Sequence, residues 1–371
     1  MIESLSARRS WRGCSIALSV AVSSSAIAGF VAPAHALTTE EILNYTAPDR
    51  QQVLEAGARR EGKVVIYSGM IVNQLLRPLT EAFHRKYPFV DIIYWRGDGN
   101  QIAAKVTAEM QANALMADVI EGSGLPAAAG GPQAVLPFVS PLFQSLPKED
   151  IAADRTWAAT RFRYIGLGYN TKFISKDAAP KTYEDLLDPH WKGKMAWHAA
   201  SDASGALVTI TSLLATWGRE KTEAYIAKLA KQDVTPLAVS NRQVVDQVIF
   251  GEYWIGLGIS AHHPVISASQ GAPSATVLLD PVPSLNDSIQ VVRGVKHPHA
   301  AMLLVDFMLS PEAQRMLQNA EYFPSNPNVD PSPALKMLVP RNAGVPAVLL
   351  TPEILEELTA RSAELYKRYF R

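Results

Sequence analysis

The chain has 371 residues, 35 basic and 35 acidic side chains, 48% hydrophobic residues and one cysteine. The balanced charge lacks the electrostatic footprint of a nucleic-acid binder. A single thiol excludes a disulfide scaffold and a multi-thiolate metal site, and the length allows two lobes that each bury a core.

Arg8, Arg9 and Arg12 make a positive start, residues 15–31 are apolar or small without a charge, and Ala34-His35-Ala36 is a small-x-small site. This is the layout of a secretory signal peptide cleaved after Ala36. Residues 1–36 are therefore read as a signal peptide, and the working protein as lying outside the cytoplasm. The remaining 335 residues hold 32 basic and 34 acidic side chains, a net charge of −2. Cys14 falls inside the signal, behind Trp11-Arg12-Gly13 rather than the small apolar run of a lipoprotein signal. The mature chain then has no thiol. The Arg8-Arg9 pair leaves the choice between general and twin-arginine export open. No later run reaches the roughly 18 apolar residues a membrane span needs.

Residues 38–61 predict one or two helices, with Thr39-Glu40-Glu41 as a start signal. KVVIY at 63–67 is a short apolar strand, followed by a helical pattern through Leu75, Leu76, Leu79 and Phe83 that Pro88 ends. Residues 90–95 predict a strand, 100–113 a helix with Ile102, Val106 and Met110 on one face, and 117–120 a third strand. Such alternation predicts an α/β fold with a mostly parallel sheet. A proline-rich connection spans 132–147. Residues 156–169 read as a long strand pair containing Gly166 and Gly168. Helices are expected at 183–187, 204–217, 222–231 and 241–250, the last stopped by Gly251. Strands are expected at 253–259 and 288–292, and a helix at 300–309. Ser310-Pro311-Glu312 and Thr351-Pro352-Glu353 each open a further helix.

Seven segments carry a family resemblance: KVVIYSG (63–69), ADVIEGS (117–123), GLGYNTKFI (166–174), DPHWKGKMAW (188–197), SDASGAL (201–207), GEYWIGLGI (251–259) and VKHPHAAMLLVDFMLSPEAQ (295–314). In this order they resemble the periplasmic solute-binding proteins of ABC importers, and specifically the ferric-ion-binding type. The resemblance implies a type II periplasmic-binding-protein fold: two α/β lobes, each a mostly parallel sheet flanked by helices, joined by a crossing-strand hinge. It implies lobe 1 at 37–163 and 282–371, lobe 2 at 164–281, and a solute held in the cleft between them. It further implies periplasmic residence, a partner permease in the membrane, a monomer, and binding rather than catalysis.

The family's iron tetrad is not reproduced. By motif, its histidine falls near Ile71, its glutamate at Ser123, and its tyrosine pair at Ala261 and His262. Ferric iron requires anionic oxygen donors, so no metal and no cofactor are expected. The companion-anion positions match better, at Ser204-Gly205-Ala206 and Asn241. A helix start presents free N–H groups and the positive dipole end to a phosphate, phosphonate or carboxylate. Ser68-Gly69 and Ser123-Gly124 follow strands in the other lobe, where α/β clefts collect ligands. Arg242 adds a fork of donors, and His262 a further hydrogen-bonding group. The expected solute is small and anionic.

Ferric iron or an iron chelate is the alternative solute. A more distant reading is an exported NAD-type oxidoreductase, because residues 256–261 (GLGISA) with Asp280 fit a loose dinucleotide fingerprint. No G-x-S-x-G or H-E-x-x-H occurs. Trp191, Trp197, Trp217 and Trp254 read as core anchors, and His297-Pro298-His299 as a surface helix start.

Overall fold

The computed structural model describes residues 37–123, 131–199 and 205–370. The signal-peptide reading of 1–36 lies outside them, as do Gly124 and Ser204. Thr38 and Glu41 form a reciprocal capping box on α1 (Thr39–Leu43). α2 (Arg50–Glu61) and β1 (Lys63–Ser68) follow. α3 (Arg77–Lys86) has Pro78 in its first turn, where a missing N–H costs nothing. β2 (Asp91–Arg96), α4 (Gly99–Gln111), β3 (Val119–Gly122) and the short β4 (Val135–Leu136) complete the first region. β1 pairs in parallel with both β2 and β3, as α-helical crossovers between strands require.

The expected strand pair at 156–169 is one continuous strand, β5 (Ala158–Asn170). No turn forms at its glycines, because residues 165–170 stay paired throughout, with β8 between Ile165 and Tyr169 and with β9 from Leu167 to Asn170. β6 (Met195–His198), α5 (Gly205–Trp217), α6 (Arg219–Leu229), β7 (Thr235–Leu237), α7 (Asn241–Phe250), β8 (Ile255–Ser260), α8 (His262–Ser269) and β9 (Ser274–Val277) then build a second region. β10 (Val282–Val292) returns to the first. The chain closes with α9 (Pro298–Leu309), α10 (Pro311–Asn319), β11 (Phe323–Pro324), α11 (Pro340–Ala343), β12 (Ala347–Leu349) and α12 (Pro352–Phe370).

The main strand order is β2-β1-β3-β10-β5-β8-β6-β7. β5 is the junction. Its first half runs antiparallel to β10, from Ala158 opposite Ile289 to Tyr164 opposite Ser284. Its second half pairs with β8 and β9. Gly256 and Gly258 of the dinucleotide-like pattern lie inside β8, so they form no phosphate-cradling loop.

Two cores flank this junction. One gathers Phe83, Phe138, Ile289 and Phe307 around α9, which is apolar on nearly every side. The other gathers Trp197, Ile210, Ile226 and Leu257. α12 belongs to this second core rather than with the first, to which 282–371 was assigned. Leu365 and Tyr366 are buried there, and Phe370 sits 4.6 Å from the Trp197 ring. The cause is α5, a helix without a polar face that needs cover from another apolar stripe. His297 and His299 are not surface residues. Their Nδ1 atoms lie 2.8 Å and 2.6 Å from Asp118 and Glu61, which pin the start of α9.

Candidate functional site

The C-terminal ends of β1 and β3 lie side by side. Ser68 is fully buried and its hydroxyl is committed: it donates to Glu121 Oε2 at 2.6 Å and accepts from the Met70 amide at 3.1 Å. The expected direct contact between Ser68 and a solute is thus replaced by a supporting role. The Gly69 amide donates to the Glu121 carbonyl. Ser123 is half-buried at the end of β3, against the first residue of α4.

Behind this pair sits a charge cluster on the junction strands. Arg161 Nη1 donates to Glu121 Oε1 at 2.6 Å, and its Nε lies 2.8 Å from Asp287 Oδ2. Thr160 donates to the same Glu121 oxygen. Arg163, two residues along β5 and on the same side of the strand, brings its Nε to 3.6 Å from Asp287 Oδ2. Burial pushes the Glu121 carboxyl up, against the pull of Arg161. The Tyr322 ring covers Arg161 at 5.3 Å.

Across from these strands, three helix starts meet at the end of β8. Asn241, first residue of α7, donates Nδ2 to the Gly258 carbonyl and accepts the Ser260 amide, both at 2.8 Å. Its amide thus braces the turn at the end of β8, while the half-buried side chain keeps a second N–H and a second lone pair. Gly205, first residue of α5, abuts Gly258: a Cβ on Gly258, which has φ +63°, would lie 2.5 Å from the Gly205 carbonyl oxygen. Ala206 is fully buried. α8 begins at His262, two residues beyond β8.

Arg242 reaches from α7 to α8, donating to Ser267 Oγ at 2.8 Å while pairing with Asp246 at 3.1 Å. His262 is buried, with its ring 4.4 Å from that of His263 and 6.0 Å from that of Tyr322. The Nδ1 atoms of both histidines lack a hydrogen-bond partner. Burial holds His262 well below the usual imidazole range, helped by His263, Arg163, Arg161 and Arg242. Burial also brings His263 down to about 3, with Arg242 and Arg163 adding to it. Both rings are neutral at physiological pH.

The arrangement offers helix N–H groups, guanidinium forks and neutral imidazoles, a donor set suited to an oxyanion. Among the described residues no group of three or more His, Cys, Asp and Glu converges as a metal site. Ile71 is half exposed and Ala261 buried; neither carries a ligating atom. A small internal cavity of about 20 Å³ lies under Gly258, lined by Tyr183, Trp197 and Tyr225 among others, room for little more than a water. The sequence reading did not single out Glu121, Arg161, Arg163 or Asp287. Arg161-Phe162-Arg163 was the available signal: two arginines at strand period within an otherwise apolar run put two charges on one side of a buried strand.

A family model described as bacterial extracellular solute-binding protein matches residues 131–343. A Salmonella typhi protein, named provisionally as a 2-aminoethylphosphonate-binding periplasmic protein, is 24% identical over 269 residues, covering 64% of this chain and 77% of its own. The iron-bound HitA structure from Pseudomonas aeruginosa superposes with TM-score 0.70 at 22% identity, over 83% of this chain and 99% of that one. AfuA from Actinobacillus pleuropneumoniae, with exogenous fructose-6-phosphate bound, gives 0.68 at 21% identity, over 83% and 98%. These two likenesses establish the type II periplasmic-binding-protein fold.

Proposed function

The chain belongs to the bacterial extracellular solute-binding protein family, and we propose that it is the periplasmic receptor of an ABC importer for a small organic phosphonate or phosphate ester. The observation that carries this reading is the meeting of three helix starts, α5, α7 and α8, at the end of β8. Each adds N–H groups and the positive end of a helix dipole to one spot. The names of the Salmonella relative and of the fructose-6-phosphate complex support the phosphorus-oxyanion class.

In this reading lobe 1 is the region of the first core and lobe 2 that of the second, with α12 added to lobe 2. β5 and β10 carry the chain between them and serve as the hinge. The solute shifts an open–closed equilibrium by its stronger affinity for the closed form. The closed monomer then docks on its permease and releases the solute unchanged, without catalysis. The donor set argues against the ferric alternative, because Ile71, Ser123, Ala261 and His262 supply no anionic oxygen.

The test is calorimetry with 2-aminoethylphosphonate, fructose 6-phosphate, inorganic phosphate, succinate and ferric citrate. Micromolar or tighter binding of a phosphorus oxyanion is expected. Tight ferric binding without any anion requirement refutes the reading.

A further inference from the structure

Of the two guanidinia on the junction strand β5, Arg163 is the more exposed and the more loosely held. Arg161 is closed off: it is 4% exposed and lies between Glu121 and Asp287. Arg242 is engaged by Asp246, His263 and Ser267. The Arg163 side chain is 21% exposed, and its one charged neighbour among the described residues is Asp287 at 3.6 Å, beyond hydrogen-bond length. Its buried Nε has no hydrogen-bond partner. The surroundings are built rather than incidental. Asp287 lies opposite Arg161 and diagonal to Arg163 on the paired strand, so it holds both guanidinia from one side. His262 and His263, with unpartnered Nδ1 atoms, stand within electrostatic reach of Arg163 at the start of α8.

We propose that Arg163 is the specificity-determining residue of the solute site: a fork presented by the hinge strand, steadied by Asp287, that clamps a tetrahedral phosphorus dianion against the helix starts at the end of β8. This rests on the phosphorus-oxyanion reading above and adds the residue that selects the head group. The reason for a dianion is competition with Asp287 for the fork. Glu121 and Asp287 already offset Arg161 and Arg163, so a guest gains Arg163 only by displacing a carboxylate from it. A guest must draw the long Arg163–Asp287 pair apart, and two charges on a tetrahedral head repay that more fully than one charge on a planar carboxylate. Because Arg163 belongs to the strand that links the cores, the contact also ties the presence of the guest to the position of the hinge.

Calorimetry compares wild-type protein with Arg163→Gln and Arg163→Lys, using 2-aminoethylphosphonate, fructose 6-phosphate and inorganic phosphate against succinate. The phosphorus probes distinguish a phosphonate, an ester and the free ion as the source of the head group. Arg163→Gln is expected to weaken the best phosphorus probe about 10- to 100-fold, the range for a hydrogen bond to a charged group, and to bring the phosphorus-to-carboxylate preference close to one. Arg163→Lys keeps the charge but loses the fork, and is expected to fall between the two. The preference is the deciding readout, because a merely structural role weakens all probes alike. If the wild type binds a phosphorus probe and Arg163→Gln binds it within about threefold with the preference intact, the inference is overturned while the functional reading stands. If Arg163→Gln does not fold, an unchanged preference in Arg163→Lys overturns it equally. If the wild type binds none of the phosphorus probes, the functional reading itself fails.

Discussion

Arg161 and Asp287 lie opposite each other on the two long strands that join the cores, with Nε 2.8 Å from Oδ2 and both side chains under 5% exposed. A charge pair in that position is a joint between elements: Glu121 extends it to β3 and, through Ser68, to β1. The floor of the first region and the hinge strands therefore share one ionic network. Ser68 and Glu121 set the placement of Arg161 and, beside it, Arg163.

Arg161→Met should destabilise the fold by about 3–5 kcal/mol, because it strands two buried carboxylates without their main counter-ion. Glu121→Gln should cost less, since Arg161 keeps Asp287 and the amide oxygen still accepts a hydrogen bond. Urea unfolding of the two variants gives the ranking, and equal losses contradict the assignment of Arg161 as the centre of the network.

The strands and helices were legible in the sequence because each depends on local signals. The apolar run at 63–67, the Ser310-Pro311-Glu312 start and the helix 241–250 ended by Gly251 all form where expected. The site was less legible. Ser68 and Asn241 were singled out through motif position, but whether a hydroxyl or amide points to a guest or to its own fold depends on partners 53 and 17 residues away. Ser68 meets Glu121 only once β1 and β3 are in parallel register, and Asn241 meets Gly258 only once α7 packs on β8. Arg161 and Asp287, far apart in sequence, meet only through an antiparallel pairing that no local pattern announces.

Asn241→Ala should lower stability by about 1–3 kcal/mol, because it leaves the buried Gly258 carbonyl and Ser260 amide unpaired. Asn241→Asp should not rescue it: the carboxylate accepts from Ser260 but turns an oxygen toward the Gly258 carbonyl. Thermal unfolding measures both. Stability close to wild type in Asn241→Asp means that the Gly258 contact contributes nothing.

The pH dependence of stability has two opposing parts. His262 and His263 are depressed in the folded state, so below 6.5 the unfolded chain binds more protons and stability falls as pH drops, down to about 3 for His263. Asp150 behaves oppositely: burial, with Glu149 nearby, raises it to about 7, so the folded state binds more protons above 3.8 and stability falls as pH rises. Each group contributes a slope of about 1.4 kcal/mol per pH unit within its window. Glu121 and Asp306 are raised by burial too and add to the Asp150 side, so the histidine and carboxyl parts oppose each other below pH 6.5 and the carboxyl part alone remains above it. Stability should fall between pH 6.5 and 7, and Asp150→Asn should lessen that fall. Unfolding at fixed temperature of both proteins across pH 4–8 tests this, and an equal fall in the variant contradicts it.

Gly258→Ala probes the meeting of helix starts directly. Its φ of +63° disfavours a side chain, and the new Cβ would lie 2.5 Å from the Gly205 carbonyl oxygen and 2.8 Å from Thr209 Oγ1. The backbone oxygen cannot rotate away, so either the first turn of α5 or the end of β8 must move. Gly271→Ala is the control. Its φ is +87°, but nothing lies within 4 Å of the added atom, so it carries the conformational cost alone, about 1–2 kcal/mol. Both variants should melt earlier than wild type. Only Gly258→Ala should lose affinity for a phosphorus oxyanion, by tenfold or more in calorimetry, because it alone displaces the helix starts of the proposed site. Equal affinities in the two variants imply that the solute binds elsewhere than at the junction of α5, α7 and β8.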